Sequence, residues 1–127
     1  MPIMDHDARV EFIEELGRSG RTITYGQLAV RFGLPTHGLN LKNNALSRIF
    51  DPLDRQDGAG KRPFRTAVIV RGKHPSMPGP GFFKALALHR GDPPILEHDR
   101  RAVWQNERDG LRAVAPSMHG EQPRAAR

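Results

Sequence analysis

Apolar residues recur along this chain at helical spacing in some stretches and as continuous runs in others, and these patterns lay out its elements. Val10, Ile13 and Leu16, with Phe12, share one face and predict a first helix over residues 5–16, which Asp5 can cap. Gly17 and Gly20 bracket its exit, and residues 21–23 read as a short strand. A second helix is predicted over residues 25–32. Thr24 and Gln27 have the spacing of a capping box, Ile23 and Leu28 that of a hydrophobic staple, and Gly33 with Pro35 stops the helix. Residues 34–39 form a turn. A third helix follows over residues 40–50, ending before Pro52. Leu39, Leu46, Ile49, Phe50 and Leu53 fall on its apolar arc, and Asn40, Asn44, Ser47, Arg48 and Asp51 on the opposite one.

Beyond this point the pattern changes. Residues 54–62 are polar and glycine-containing and read as a loop. Residues 64–71 read as a strand, with the apolar run 67–70 as its buried centre. Residues 72–81 hold three glycines and three prolines and read as a loop placed like the wing of a winged helix. Residues 82–88 fit a return strand or a short helix, and the pattern does not separate the two. Trp104, Leu111 and Val114 place a closing helix over residues 95–114. Residues 116–127 lack apolar periodicity and are expected to be a disordered tail, leaving residues 1–115 as one domain. Short helices followed by a β ribbon describe a small α+β winged-helix domain with an extra C-terminal helix.

Composition narrows the chemistry. With no cysteine, disulfides, thiolate metal sites and cysteine nucleophiles are excluded. No apolar run is long enough to span a bilayer, and the acidic start does not read as a signal peptide, so a cytoplasmic protein without membrane contact is expected. The net charge of +6 is unevenly spread. Residues 1–17 carry five acids and one base, residues 18–90 carry thirteen bases and three acids, and residues 91–127 carry six of each. The basic block coincides with the helix-turn-helix pattern, as phosphate binding requires, although a solvated basic surface has the same composition.

The run GRTITYGQLA over residues 20–29 resembles the DNA-binding domain of the alkylguanine-DNA alkyltransferases and of their catalytically inert alkyltransferase-like relatives. Elements follow in the family's order across residues 18–83: a recognition helix over 40–50, a strand over 66–71, and a Gly-rich loop ending at Phe82 and Phe83. The resemblance implies a winged-helix frame and a backbone-contacting role for Tyr25. It does not carry the family's chemistry. Where the reactive enzymes have Pro-Cys-His-Arg, this chain has Pro63, Phe64, Arg65, Thr66 and Ala67, so no thiolate can accept an alkyl group. The arginine that the family inserts into the duplex is matched by Leu41 or Lys42, and lysine is a poorer stacking plug than a planar guanidinium.

Candidate DNA-contacting residues are therefore Tyr25, Asn40, Lys42, Asn44, Ser47, Arg48, Arg71, Lys73 and His74. Asn and Arg on a second helix suit base edges, and basic residues on a wing suit phosphates. Tyr25 could equally be a half-buried ring, and the polar arc of the third helix a solvated face. Asp51, Asp54 and Asp57 are spaced by three, like one face of a helix, but the break expected at Pro52 and the nearby Gly58 make them read as a solvated loop rather than a catalytic acid cluster. The 75–81 loop lacks the Gly-Lys-Ser/Thr ending of a nucleotide-binding loop. No catalytic residue, metal site or cofactor is expected, and the partner expected is duplex DNA. The alternatives are a protein-binding adaptor using the acidic first helix and the Pro-rich loop, and a small metal-dependent hydrolase using His89, Asp92, Glu97 and His98.

Overall fold

The computed structural model describes residues 5–36 and 44–114, which form a mostly helical α+β fold. The first helix, α1 (His6–Ser19), begins where Asp5 accepts the Ala8 N–H at 2.8 Å. It ends at Gly20, whose φ of 73° is the left-handed turn glycine permits. The helix runs through Gly17, which lies against Leu111, where a side chain would crowd that contact. Strand β1 (Ile23–Thr24) leads into α2 (Tyr25–Arg31), and the capping box forms with both bonds at 3.1 Å. Gly33 follows with φ 71°.

Several of the remaining expectations need correction. Helix α3 spans Ser47–Ala59 and passes through Pro52, so residues 54–59 are helix and not loop. Pro52 has no N–H to give the Arg48 carbonyl, a local loss of helix bonding. Ile49 and Leu53 bury the same face on both sides of it, and this packing carries the helix through. The strand expected over residues 64–71 is a 3₁₀ turn (Arg65–Val68) followed by strand β2 (Ile69–Val70). Residues 82–88 belong to helix α4 (Pro80–Arg90), which starts with proline in its first turn and ends at Gly91 with φ 70°. Among the described residues the only strand pairing is parallel, Ile23 with Ile69 and Thr24 with Val70, so the expected β ribbon is absent. The closing helix is α5 (Arg100–Ala113), shorter than the expected 95–114. Residues 40–43 of the expected third helix and the tail expected over 116–127 lie outside the described residues.

Residues 64 and 66–70 are all buried and form the centre of the core. The 3₁₀ turn packs against α1, α3 and α5, and α4 covers α3. Trp104 on α5 donates its indole N–H to the Ala67 carbonyl at 2.8 Å. Ion pairs join the same pieces. Arg65 lies 3.0 Å from both Glu14 and Asp57. Burial opposes its charge, but bonding to Asp57 and Glu14 outweighs this and raises its pKa. Arg90 grips Glu107 at 2.7 and 2.8 Å, and Glu107 also accepts the Phe64 N–H at 2.9 Å. Among the described residues no helix is long and apolar enough to cross a membrane.

Candidate functional site

The parallel pairing of β1 and β2 decides where the site lies. Thr24 pairs with Val70, so Tyr25 and Arg71 leave the two strands side by side. Both line a cleft of about 740 Å³ between α2, α3, the 72–79 loop and the start of α4. Leu46, Phe50, Phe82 and Ala85 give it apolar walls, and Lys73, Lys84 and Asp51 also line it.

Tyr25 is the first residue of α2, so the capping box that fixes the helix start also fixes its ring. Its hydroxyl accepts the Gly79 N–H at 2.9 Å, and its ring tilts against Phe50 with centroids 6.4 Å apart. Burial is the largest influence on the phenol and raises its pKa, while the Gly79 bond and Arg71 pull partly back. The hydroxyl therefore keeps its proton and can donate while it accepts from Gly79. Arg71 anchors the loop by giving its backbone N–H to the Met77 carbonyl at 2.9 Å. Its Nε is buried with no hydrogen-bond partner.

Asp54 and Thr66 lie deeper. Asp54 is 5 % exposed, and Thr66 Oγ1 donates to its carboxyl at 2.6 Å. Burial pushes this carboxyl up to about 7, and the neighbouring Asp57 and Asp51 add to the rise. The Thr66 bond and Arg65 oppose it. Near neutral pH the group can act as donor or acceptor, depending on its proton.

Of the residues expected to contact DNA, Tyr25, Asn44, Ser47, Arg71 and Lys73 line this cleft. Asn44 and Ser47 do not stand on a solvated outer face. Both are half-buried at the start of α3, where Asn44 Oδ1 accepts the Ser47 N–H and Ser47 Oγ donates to the Asn44 carbonyl, each at 2.8 Å. Arg48 and His74 are exposed and are not part of the cleft wall. Asn40 and Lys42 lie outside the described residues.

Sequence reasoning missed Asp54, Thr66, Phe82 and Lys84. The three-residue spacing of Asp51, Asp54 and Asp57 is a usable signal, which the proline at position 52 masks. Asp54 and Asp57 are in fact buried on one helix face, and Asp57 is held by Arg65. Pro80 after Gly79 was the available signal for the start of α4. Among the described residues no three His, Asp or Glu side chains are grouped to hold a metal ion. His89 packs against Phe64 and Gly58, and the exposed His98 lies 3.5 Å from Asp99. Comparison of the chain with protein-family models, with curated proteins and with solved structures finds no match.

Proposed function

We propose that this chain is a non-enzymatic DNA-binding protein that docks through the face carrying the Tyr25 cleft. The frame would be a helix-turn-helix of the winged type, with the folded 72–79 loop in the place of a β wing. The observation that carries the reading is a buried Arg71 Nε without an acceptor, in a cleft also lined by Lys73 and Lys84. A buried donor of this kind costs stability unless an acceptor arrives, and a phosphate oxygen between flanking lysines is a fitting one. The resemblance to the alkyltransferase-like proteins supports the same face, because the tyrosine it singles out is the one in the cleft. An alkylated base is thus one ligand to try, with this chain binding it and leaving it unchanged.

Fluorescence anisotropy tests the reading with plain duplex, duplex carrying one alkylguanine, and single-stranded probes, each at low and physiological salt. The expected result is duplex binding that weakens steeply with salt. Lys73→Ala with Lys84→Ala should weaken binding and reduce the log–log salt slope by about 2, at about 0.9 per lost phosphate contact. An unchanged slope in the double variant would remove this face from the interface. No duplex binding even at low salt would leave the protein-adaptor reading in its place.

A further inference from the structure

The cleft contains an acid whose bonding the fold leaves incomplete. Thr66 donates to one oxygen of Asp54, and no bond to the other is seen among the described residues. That oxygen is not sealed in the core but open to the cleft, so a donor on a ligand can reach it. Arg71 Nε is the converse, a buried donor with no acceptor. Flat apolar surface from Phe50 and Phe82 belongs to the same cleft.

We infer that Asp54 is the specificity-determining residue of the cleft, accepting an N–H from the inner edge of a nucleobase whose phosphate is held by Arg71, Lys73 and Lys84. The inference rests on the nucleic-acid reading of the cleft and adds to it the edge that is read. An ionised carboxylate only accepts hydrogen bonds, so it favours a base edge rich in N–H groups. Guanine presents a ring N–H beside an amino group. Unsubstituted purine has the same rings and only acceptors.

The groups around Asp54 fit this role. Asp51 and Asp57 share its helix, Thr66 and Arg65 come from the 3₁₀ turn, and Tyr25, Arg71 and Lys84 belong to the cleft wall. Their balance, with burial, leaves the carboxyl titrating at about 7. Below that value the proton makes Asp54 a donor and the preference for guanine should fade. Above it the acceptor form dominates and the preference should be full.

The test is anisotropy with the whole chain and short duplexes in which one guanine or one unsubstituted purine faces an abasic site. Measurements are made one pH unit above and one below the transition, with free guanosine 5′-monophosphate as competitor. The intact chain should prefer guanine by about tenfold at the higher pH, the size of one hydrogen bond to a charged group, and by less at the lower. Asp54→Asn keeps an oxygen for Thr66 and turns the other atom into a donor, so it should lose or reverse the preference at both pH values. Equal binding of the two bases by the intact chain would overturn the role of Asp54 while leaving duplex binding intact. Guanine preference surviving in folded Asp54→Asn would overturn it as well. If free guanosine monophosphate competes as well as the duplex-borne base, the role of Asp54 stands and the DNA reading fails. Absence of binding by every probe would overturn both.

Discussion

Replacing Asp54 by asparagine should change how the stability of the fold depends on pH. In the unfolded chain this carboxyl titrates near its ordinary value of 3.8, and in the folded chain it is pushed up to about 7. Between those values the folded state holds a proton that the unfolded state has released. Stability therefore falls as pH rises through the window, and the penalty is complete above about 7. The two values lie about three pH units apart, and at about 1.36 kcal/mol per unit the full penalty is about 4 kcal/mol. Between about pH 5 and about pH 8 the portion expected is roughly 2–3 kcal/mol, since the lower end of the window is already passed. Asparagine does not titrate, so the variant should escape this loss. Urea unfolding of both proteins across this range gives the difference in stability at each pH. The other titratable groups are common to both proteins and cancel in that difference. A fixed offset of either sign is expected from exchanging a hydroxyl for an amide. The slope is the test, and a difference constant with pH to within about 0.5 kcal/mol would refute the burial argument.

Substitutions at three further positions probe the scaffold behind the cleft. Gly58→Ala should destabilise by about 1–3 kcal/mol in urea unfolding despite alanine's better helix propensity, because its methyl group would meet His89 Cβ and the His89 carbonyl where α3 crosses α4. Glu107→Ala should cost about 3 kcal/mol by the same measurement, since it strips the partner from Arg90 and the acceptor from the buried Phe64 N–H, and Glu107→Gln should recover part of this through the Phe64 bond. Thr24→Ala should lower stability by about 1 kcal/mol through loss of the capping box. It should also loosen the Tyr25 ring, read as a rise in tyrosine quenching by acrylamide.

What was legible in the sequence was what short-range chemistry decides. Thr24 and Gln27 are three residues apart, and their reciprocal bonds need nothing from the rest of the chain. Asp5 and Trp104 were likewise read at positions where the fold uses them. The misreadings arose where tertiary packing overrode a local rule. Pro52 normally ends a helix, but buried Leu53 and the side-chain ties of Asp54 to Thr66 and Asp57 to Arg65 hold the next two turns in place. The apolar run over residues 67–70 looks like one strand because it is buried on all sides; Ile69 and Val70 are β2, but Ala67 and Val68 belong to a tightly wound turn, which has the same composition when buried on all sides.

The cleft was harder to anticipate because its parts come together through pairing that leaves no periodic trace. Two-residue strands are too short to show alternation, and parallel partners can lie far apart in the chain. Yet this pairing has a direct chemical consequence. By aligning Thr24 with Val70 it delivers a phenol and a guanidinium, the next residue of each chain segment, to one wall. The 3₁₀ turn just before β2 then brings Thr66 to Asp54, so the buried acid joins the same cleft. One short parallel pair thus links the capped α2, the acid of α3 and the basic loop. A substitution that broke the pairing, such as Ile69→Pro, which removes a backbone N–H and buried volume at the centre of the core, should abolish the cleft and the fold together. By contrast, Lys73→Ala and Lys84→Ala alter exposed side chains at the cleft and should leave the unfolding midpoint almost unchanged. Loss of ligand binding in the lysine variants with an unchanged midpoint would separate the chemistry of the cleft from the scaffold that assembles it.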